Sequence, residues 1–100
     1  MRPRFVRMSG SAFEELPLGA GELTIGRDAS NDIVLTDRSV SGKHAVIRLI
    51  GADWVLADLE SRNGSFVNGQ PASPEIGISE GDVVQFGAVR LLLVNDESQF

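Results

Sequence analysis

The sequence predicts an all-β fold: a two-sheet β-sandwich of about ten or eleven short strands, with its working loops at one end. Three observations carry that prediction. Eleven glycines and four prolines interrupt the chain so often that few windows could hold a helix of three turns. The segments between them are short and rich in Val, Ile, Leu and Phe, residues that suit a pleated, half-buried surface. They recur at roughly 8–10 residue intervals, the rhythm of sandwich strands and their turns.

Each element has its own signal. Arg4–Met8 opens the series with poor alternation, and Phe13–Leu18 follows. Leu23–Ile25 and Ile33–Leu35 are brief apolar runs. Ala45-Val46-Ile47-Arg48-Leu49-Ile50 puts Ala45, Ile47 and Leu49 on one face, because side chains alternate along a strand. Trp54–Leu59 returns after Gly51-Ala52-Asp53 as a hairpin. Phe66-Val67 leads into Asn68-Gly69, a pair suited to the positive φ angles of a type I′ turn. Val83–Phe86 and Val89–Val94 flank Gly87-Ala88 as a second tight hairpin. Asn95–Phe100 reads as a polar tail. Trp54 reads as a core or sheet-face residue, since it is the only tryptophan in a chain without tyrosine.

Length and composition bound the function. One hundred residues make a single domain, 1–100, with no room for a second. A hydrophobic content of 42% supplies one core. Nine basic against 14 acidic residues, net charge −5, argue against non-specific nucleic-acid binding, which needs a broad basic face. No cysteine means no disulfide, thiolate nucleophile or Cys-ligated zinc, and one histidine rules out any site needing two imidazoles. No metal or cofactor is expected. No run approaches the roughly 20 apolar residues of a membrane helix. The N-terminus MRPRFVRMSGSAFEELPLG lacks a secretory apolar core. The simple reading is a soluble cytoplasmic protein without a membrane partner, although a module cut from a longer polypeptide would read the same way.

The loops are the informative part. Gly26-Arg27 ends one strand, and Ser41-Gly42-Lys43-His44 opens the strand at Ala45. Ser61-Arg62-Asn63-Gly64-Ser65 lies between two strands, with Val67-Asn68-Gly69 just after it. Glu80-Gly81-Asp82 through Gly87 reads as turn, strand, turn. From Arg38 to Arg48 there are three basic residues and no acid, a local cationic patch on an acidic molecule. Such a contrast suits one small anion better than a polyanion. A phosphate monoester, with about −1.5 to −2 charge and three acceptor oxygens, needs a guanidinium fork and hydroxyl or N–H donors. Arg27 and Ser41 supply those groups, and Lys43 and Arg62 add charge.

This ordered series, Gly-Arg, Ser-x-x-His, Asn-Gly and a late Gly-Asp, resembles the forkhead-associated (FHA) domain over about Leu23 to Val94. The resemblance implies a non-catalytic β-sandwich that binds a phosphothreonine-containing protein or peptide. The implied partner is a Ser/Thr kinase or a kinase substrate. It assigns phosphopeptide contact to Arg27, Ser41, Arg62 and Asn63, with Asn63 bonding the peptide main chain and Lys43 adding charge. Gly26, His44 and Gly64 support the site, His44 by bracing the loops.

Plainer roles stand beside these. Arg27 could be a solvated turn arginine paired with Asp28 or Asp32, and Ser41 could merely cap a turn. Arg62 could be a free surface arginine, and Asn63 a turn residue only. Ser41 and His44 invite a hydrolase reading, yet no Gly-x-Ser-x-Gly elbow surrounds the serine. The alternative function is a phosphate-independent interaction module that docks its partner on a sandwich face. One departure from the family matters: Gly42 stands where members often carry a polar or basic residue. Arg38 could favour an acidic residue after the phosphothreonine.

Overall fold

Eleven strands in two sheets and no helix make up the secondary structure of the described residues. The structure, a computed structural model, describes residues 2–9, 12–18, 21–51 and 53–96. In chain order the strands are β1 (Arg2–Ser9), β2 (Ala12–Pro17), β3 (Glu22–Gly26), β4 (Ile33–Val34), β5 (Ala45–Ile50) and β6 (Asp53–Asp58). They continue as β7 (Ser65–Val67), β8 (Gln70–Pro71), β9 (Glu75–Ile78), β10 (Val83–Phe86) and β11 (Val89–Asp96). One sheet runs β2-β1-β11-β10-β7-β8 and the other β4-β3-β5-β6-β9.

Alternation sorts side chains between core and water. In β11, Leu91 and Leu93 are buried while Leu92 between them is 41% exposed. Phe5, Val84, Phe86, Leu91 and Leu93 of the first sheet meet Ile25, Ile47 and Leu56 of the second, all at 2% exposure or less. Each such side chain contributes about 1.5–3 kcal/mol on burial. Phe5 and Phe86 pack edge to face with centroids 6.3 Å apart. The face shared by Ala45, Ile47 and Leu49 is as expected, but the core ends before Leu49, which is 38% exposed.

Three differences from the sequence reading have physical causes. β9 is absent from it because Pro74 and Gly77 read as breakers. The strand forms because Ile76 and Ile78 pair with Leu56 and Trp54 at the sheet edge, and Ile78 is buried. β8 is a two-residue edge strand containing a proline, too short to leave a pattern. Asn95 and Asp96 belong to β11, not to a tail: their backbones pair with Pro3 and Arg2, so the β1 partner extends the strand. Residues 97–100 lie outside the described residues. Among the described side chains of β1 only Phe5 is fully buried, and pairing on both sides with β2 and β11 defines the strand. Trp54 is half-buried and packs against the core.

The register places the functional loops together. Ile25 pairs with Ala45, Ala45 with Asp58, and Ser65 with Phe86. The loops leaving β3, entering β5, joining β6 to β7 and joining β10 to β11 therefore share one end of the sandwich.

Candidate functional site

Gly26 and Arg27 carry the last turn of β3 against the loop before β5. The Arg27 N–H donates to the Ser41 carbonyl at 2.9 Å, and the Asp28 N–H to the Gly42 carbonyl at 3.1 Å. This close approach requires glycine at 26, where a Cβ would lie 2.2 Å from the Gly42 oxygen. Buried Asn31 tightens the crossing, its Nδ2 donating to the carbonyls of Asp28 (2.9 Å) and Gly42 (2.7 Å). Arg27 and Ser41 are thus neighbours held by main-chain bonds.

His44 ties this pair to the loop between β6 and β7. It is fully buried, edge-on to Phe86. The Ser41 N–H donates to its Nδ1 at 3.0 Å, and its Nε2 lies 2.9 Å from the Gly64 carbonyl. An amide can only donate and a carbonyl only accept, so the ring is neutral with its proton on Nε2. Both nitrogens are occupied by the main chain. Gly64 has φ +86, and a Cβ there would also strike the Phe66 ring at 2.9 Å, which accounts for glycine.

The loop after β6 is shaped by Asp58. Its Oδ1 accepts from the Ser61 and Ser65 hydroxyls at 2.6 Å each, and its Oδ2 from the Ser61 N–H at 2.9 Å. The Ser61 hydroxyl in turn accepts from the Gly64 N–H at 2.9 Å. Burial works to raise the Asp58 pKa, but the hydrogen bonds from Ser61 and Ser65 outweigh it and hold the carboxyl below the usual range. Arg62 and Asn63 ride on this loop. The Arg62 N–H donates to Ser41 Oγ at 3.1 Å, which leaves the serine O–H as a donor. Asn63 Nδ2 donates to the Ser39 carbonyl at 2.9 Å, and no described residue bonds its Oδ1.

Ser39 joins the turn between β10 and β11. Its hydroxyl donates to Asp37 Oδ1 at 2.6 Å and accepts from the Ala88 N–H at 2.8 Å. Gly87 permits the contact, since a Cβ there would sit 2.4 Å from the Ser39 oxygen.

These loops enclose a cleft of about 190 Å³ lined by Arg27, Arg38, Ser41, Gly42, Arg62 and Asn63, with Ser39 and Val40 at its back. Of the residues singled out in the sequence, Arg27, Ser41, Arg62 and Asn63 converge there. Gly26, His44 and Gly64 lie behind them. Lys43 is exposed and is not among the lining residues. No carboxylate of the described residues is within ion-pair distance of Arg27, Arg38 or Arg62, whereas Arg4 and Arg48 hold Glu15 and Glu22. Asp32 instead bonds Thr24, and the Asp28 carboxylate rests on Gly42, 2.8 Å from where a Cβ would be. Neither neutralises Arg27. The cleft offers three guanidinium groups, a hydroxyl donor and a carboxamide in fixed relation.

Ser39, Asn31 and Asp58 complete the site without having been singled out for it, and Arg38, read from the sequence as a neighbour of the phosphothreonine, lines the cleft itself. Asp37-x-Ser39 and Asp58-x-x-Ser61 have the spacing of side-chain-capped turns, a signal the sequence does carry. Nothing local foretells the contact between Ser39 and Ala88.

The FHA domain family model matches residues 23–87. Over 71 residues the chain is 39% identical to an oxoglutarate dehydrogenase inhibitor of Corynebacterium diphtheriae, covering 71% of this chain and 49% of that protein. It is also 39% identical over 69 residues to the glycogen accumulation regulator GarA of Mycolicibacterium smegmatis, covering 69% of this chain and 43% of that one. The chain spans about half the length of these curated relatives. A solved FHA domain with phosphothreonine-dependent interactions superposes with a TM-score of 0.86 at 31% identity, covering 97% of this chain and 99% of that one. With a family match over most of the chain and a shared sandwich, the protein belongs to the FHA domain family.

Proposed function

We propose that this chain is a phosphothreonine-dependent binding module that reads Ser/Thr kinase phosphorylation on a partner protein. The observation that carries the reading is the fixed pairing of the unneutralised Arg27 guanidinium with the Ser41 hydroxyl, their loops locked by the 2.9 Å Arg27–Ser41 main-chain bond. Arg27 takes two phosphate oxygens through parallel N–H bonds and Ser41 donates to the third. Arg62 and Arg38 add charge from the rim, and Lys43 strengthens the local potential from outside the cleft. Asn63 bonds the peptide main chain through its free Oδ1. The solved relative with phosphothreonine-dependent interactions supports the same ligand class.

The module works without turnover. His44, the one available base, has both nitrogens bonded to main chain and neither to Ser41 Oγ, so the serine is not activated as a nucleophile. Relatives named as a regulator and an inhibitor agree with a binding role. A reader of kinase products belongs where ATP and kinases meet, so its setting is the cytoplasm. Three or four charge-assisted hydrogen bonds at roughly 1.5–3 kcal/mol each, less the ordering of a flexible peptide, leave roughly −8 kcal/mol, a micromolar reader.

The test is titration calorimetry with phosphorylated and unphosphorylated forms of one peptide, selected from an oriented phosphothreonine library. Only the phosphorylated form should bind, and Arg27→Ala should lose about a hundredfold or more while staying folded. Equal affinities for the two forms would refute the proposal.

A further inference from the structure

The sandwich opens at the end opposite the Arg27 cleft. A cavity of about 180 Å³ lies between the sheets there, lined by Pro3 and Leu93 of one sheet, Trp54 and Ile78 of the other, and the exposed Asp53 and Glu80. We infer that this cavity is a second docking site, which takes one arginine side chain of a partner protein and uses no phosphate.

The cavity is apolar below and polar above. Ile78 and Leu93, at 5% and 2% exposure, form its floor. Trp54 is half-buried, packed against the core yet lining the cavity. No described residue accepts its indole N–H, which leaves that donor to water or a ligand. The turn that carries Glu80 is fixed over the floor. The Ser79 N–H donates to Asp82 Oδ2 at 2.7 Å, and the Gly81 N–H to the Leu93 carbonyl at 2.8 Å. Gly81, with φ +92, suits that turn, so the late Gly-Asp pair that the phosphate cleft does not use shapes this cavity instead.

Charge selects the occupant. Glu15, Glu22 and Glu75 pair with arginines, while Asp32, Asp37, Asp58 and Asp82 accept from main-chain N–H groups. Asp53 and Glu80 do neither: no described cation lies within ion-pair distance of them, and no described donor bonds them. The unneutralised arginines of the first cleft sit at the other end. β6 runs its six residues from Asp53 to Asp58, the acid that shapes the Arg62 loop, so about 17 Å separates the two ends.

An apolar floor, an indole and two uncompensated carboxylates call for an aliphatic stem with a cationic head. Arginine fits best. Its stem lies along apolar surface, its planar guanidinium stacks on an indole, and its fork pairs with carboxylate oxygens. Lysine brings a point charge without the plane. On a partner also held at the Arg27 cleft the two contacts reinforce each other through effective concentration. The second site itself does not depend on the phosphothreonine reading.

The experiment follows Trp54, the one tryptophan of the chain, whose indole N–H gives a single isolated NMR signal. The titrants are end-capped peptides Gly-Gly-X-Gly-Gly without phosphate, X being arginine, lysine or norleucine. The arginine peptide should shift the Trp54 indole signal and the Asp53, Ser79 and Glu80 amides together and saturably, with a Kd of about 1–10 mM. Lysine should bind about threefold more weakly and norleucine about tenfold, and high salt should shrink both differences. Asp53→Asn/Glu80→Gln, two exposed positions, should weaken the arginine peptide about fivefold. Absence of a saturable shift, shifts that spare Trp54, norleucine binding as tightly as arginine, or an unchanged affinity in the double variant overturns the inference. Lysine equal to arginine overturns the guanidinium assignment. A Trp54 signal that moves on dilution of the peptide-free chain would place a second copy of this chain at the cavity and overturns the assignment to a partner protein. Because no titrant carries phosphate, none of these results touches the phosphothreonine reading.

Discussion

Replacing His44 should damage stability first and binding second, and the structure sets the size. In His44→Ala the Ser41 N–H loses its acceptor. The Gly64 carbonyl fares better, because the Gly87 N–H still donates to it at 3.0 Å. An orphaned donor costs about 1–3 kcal/mol and truncation of a fully buried ring adds a cavity of similar cost. The sum is about 2–6 kcal/mol, against about 5–15 for a whole domain. For a chain of this size that lowers Tm by roughly 8–48 °C. His44→Phe separates the two causes, since it keeps a ring against Phe86 and removes both hydrogen bonds, and it should lose about half as much.

The assay is thermal unfolding by circular dichroism, paired with amide hydrogen exchange at Ser41, whose N–H bonds His44. Both variants should expose that amide while the central β5 and β6 amides stay protected at low temperature. Phosphopeptide affinity measured below the variants' melting range should fall about tenfold or more, through the displaced Ser41. The reasoning fails if His44→Ala melts within about 5 °C of the wild type, or if the Ser41 amide stays protected.

Three further outcomes follow from the same geometry. Gly26→Ala should cost several kcal/mol or prevent folding, because its methyl would lie 2.2 Å from the Gly42 oxygen; a urea midpoint like the wild type's would contradict it. Ser41→Ala should weaken phosphopeptide binding by about 1.5–3 kcal/mol with little change in Tm, since water can take over the Arg62 N–H at this exposed rim; calorimetry and melting decide together. Asp58 and Asp37 both have depressed folded pKa values, so their stabilisation is complete above the ordinary carboxylate value near 3.8 and is lost as pH falls through the folded values. Urea titrations from pH 5 downward should show that loss. It should shrink in Asp58→Asn, whose amide NH2 must face a Ser61 or Ser65 donor; an unchanged acid slope would rule the network out.

Much of this was legible locally. The hairpin at β5 and β6, the β10–β11 pair and the Asn68-Gly69 turn, with φ of +50 and +87, follow from alternation and turn chemistry alone. The β9 edge strand and the end of β11 were hidden, because a partner strand, not a local pattern, makes them strands. At the site, Arg27, Ser41, Arg62 and Asn63 stood out by motif. Ser39 did not, because it bonds loops far apart in sequence, and Asp58 did not, although its bonds to Ser61 and Ser65 lie within one loop.

By itself the sequence determined a sandwich and the residue types able to hold an anion, since periodicity, glycine placement and side-chain chemistry are local properties. The tertiary structure alone decided which arginines remain without acidic neighbours. Asp28 and Asp32 follow Arg27 closely in the chain, yet they turn to Gly42 and Thr24. Whether a charge is neutralised depends on distances in space, and those are set by how the two sheets bring their loops together.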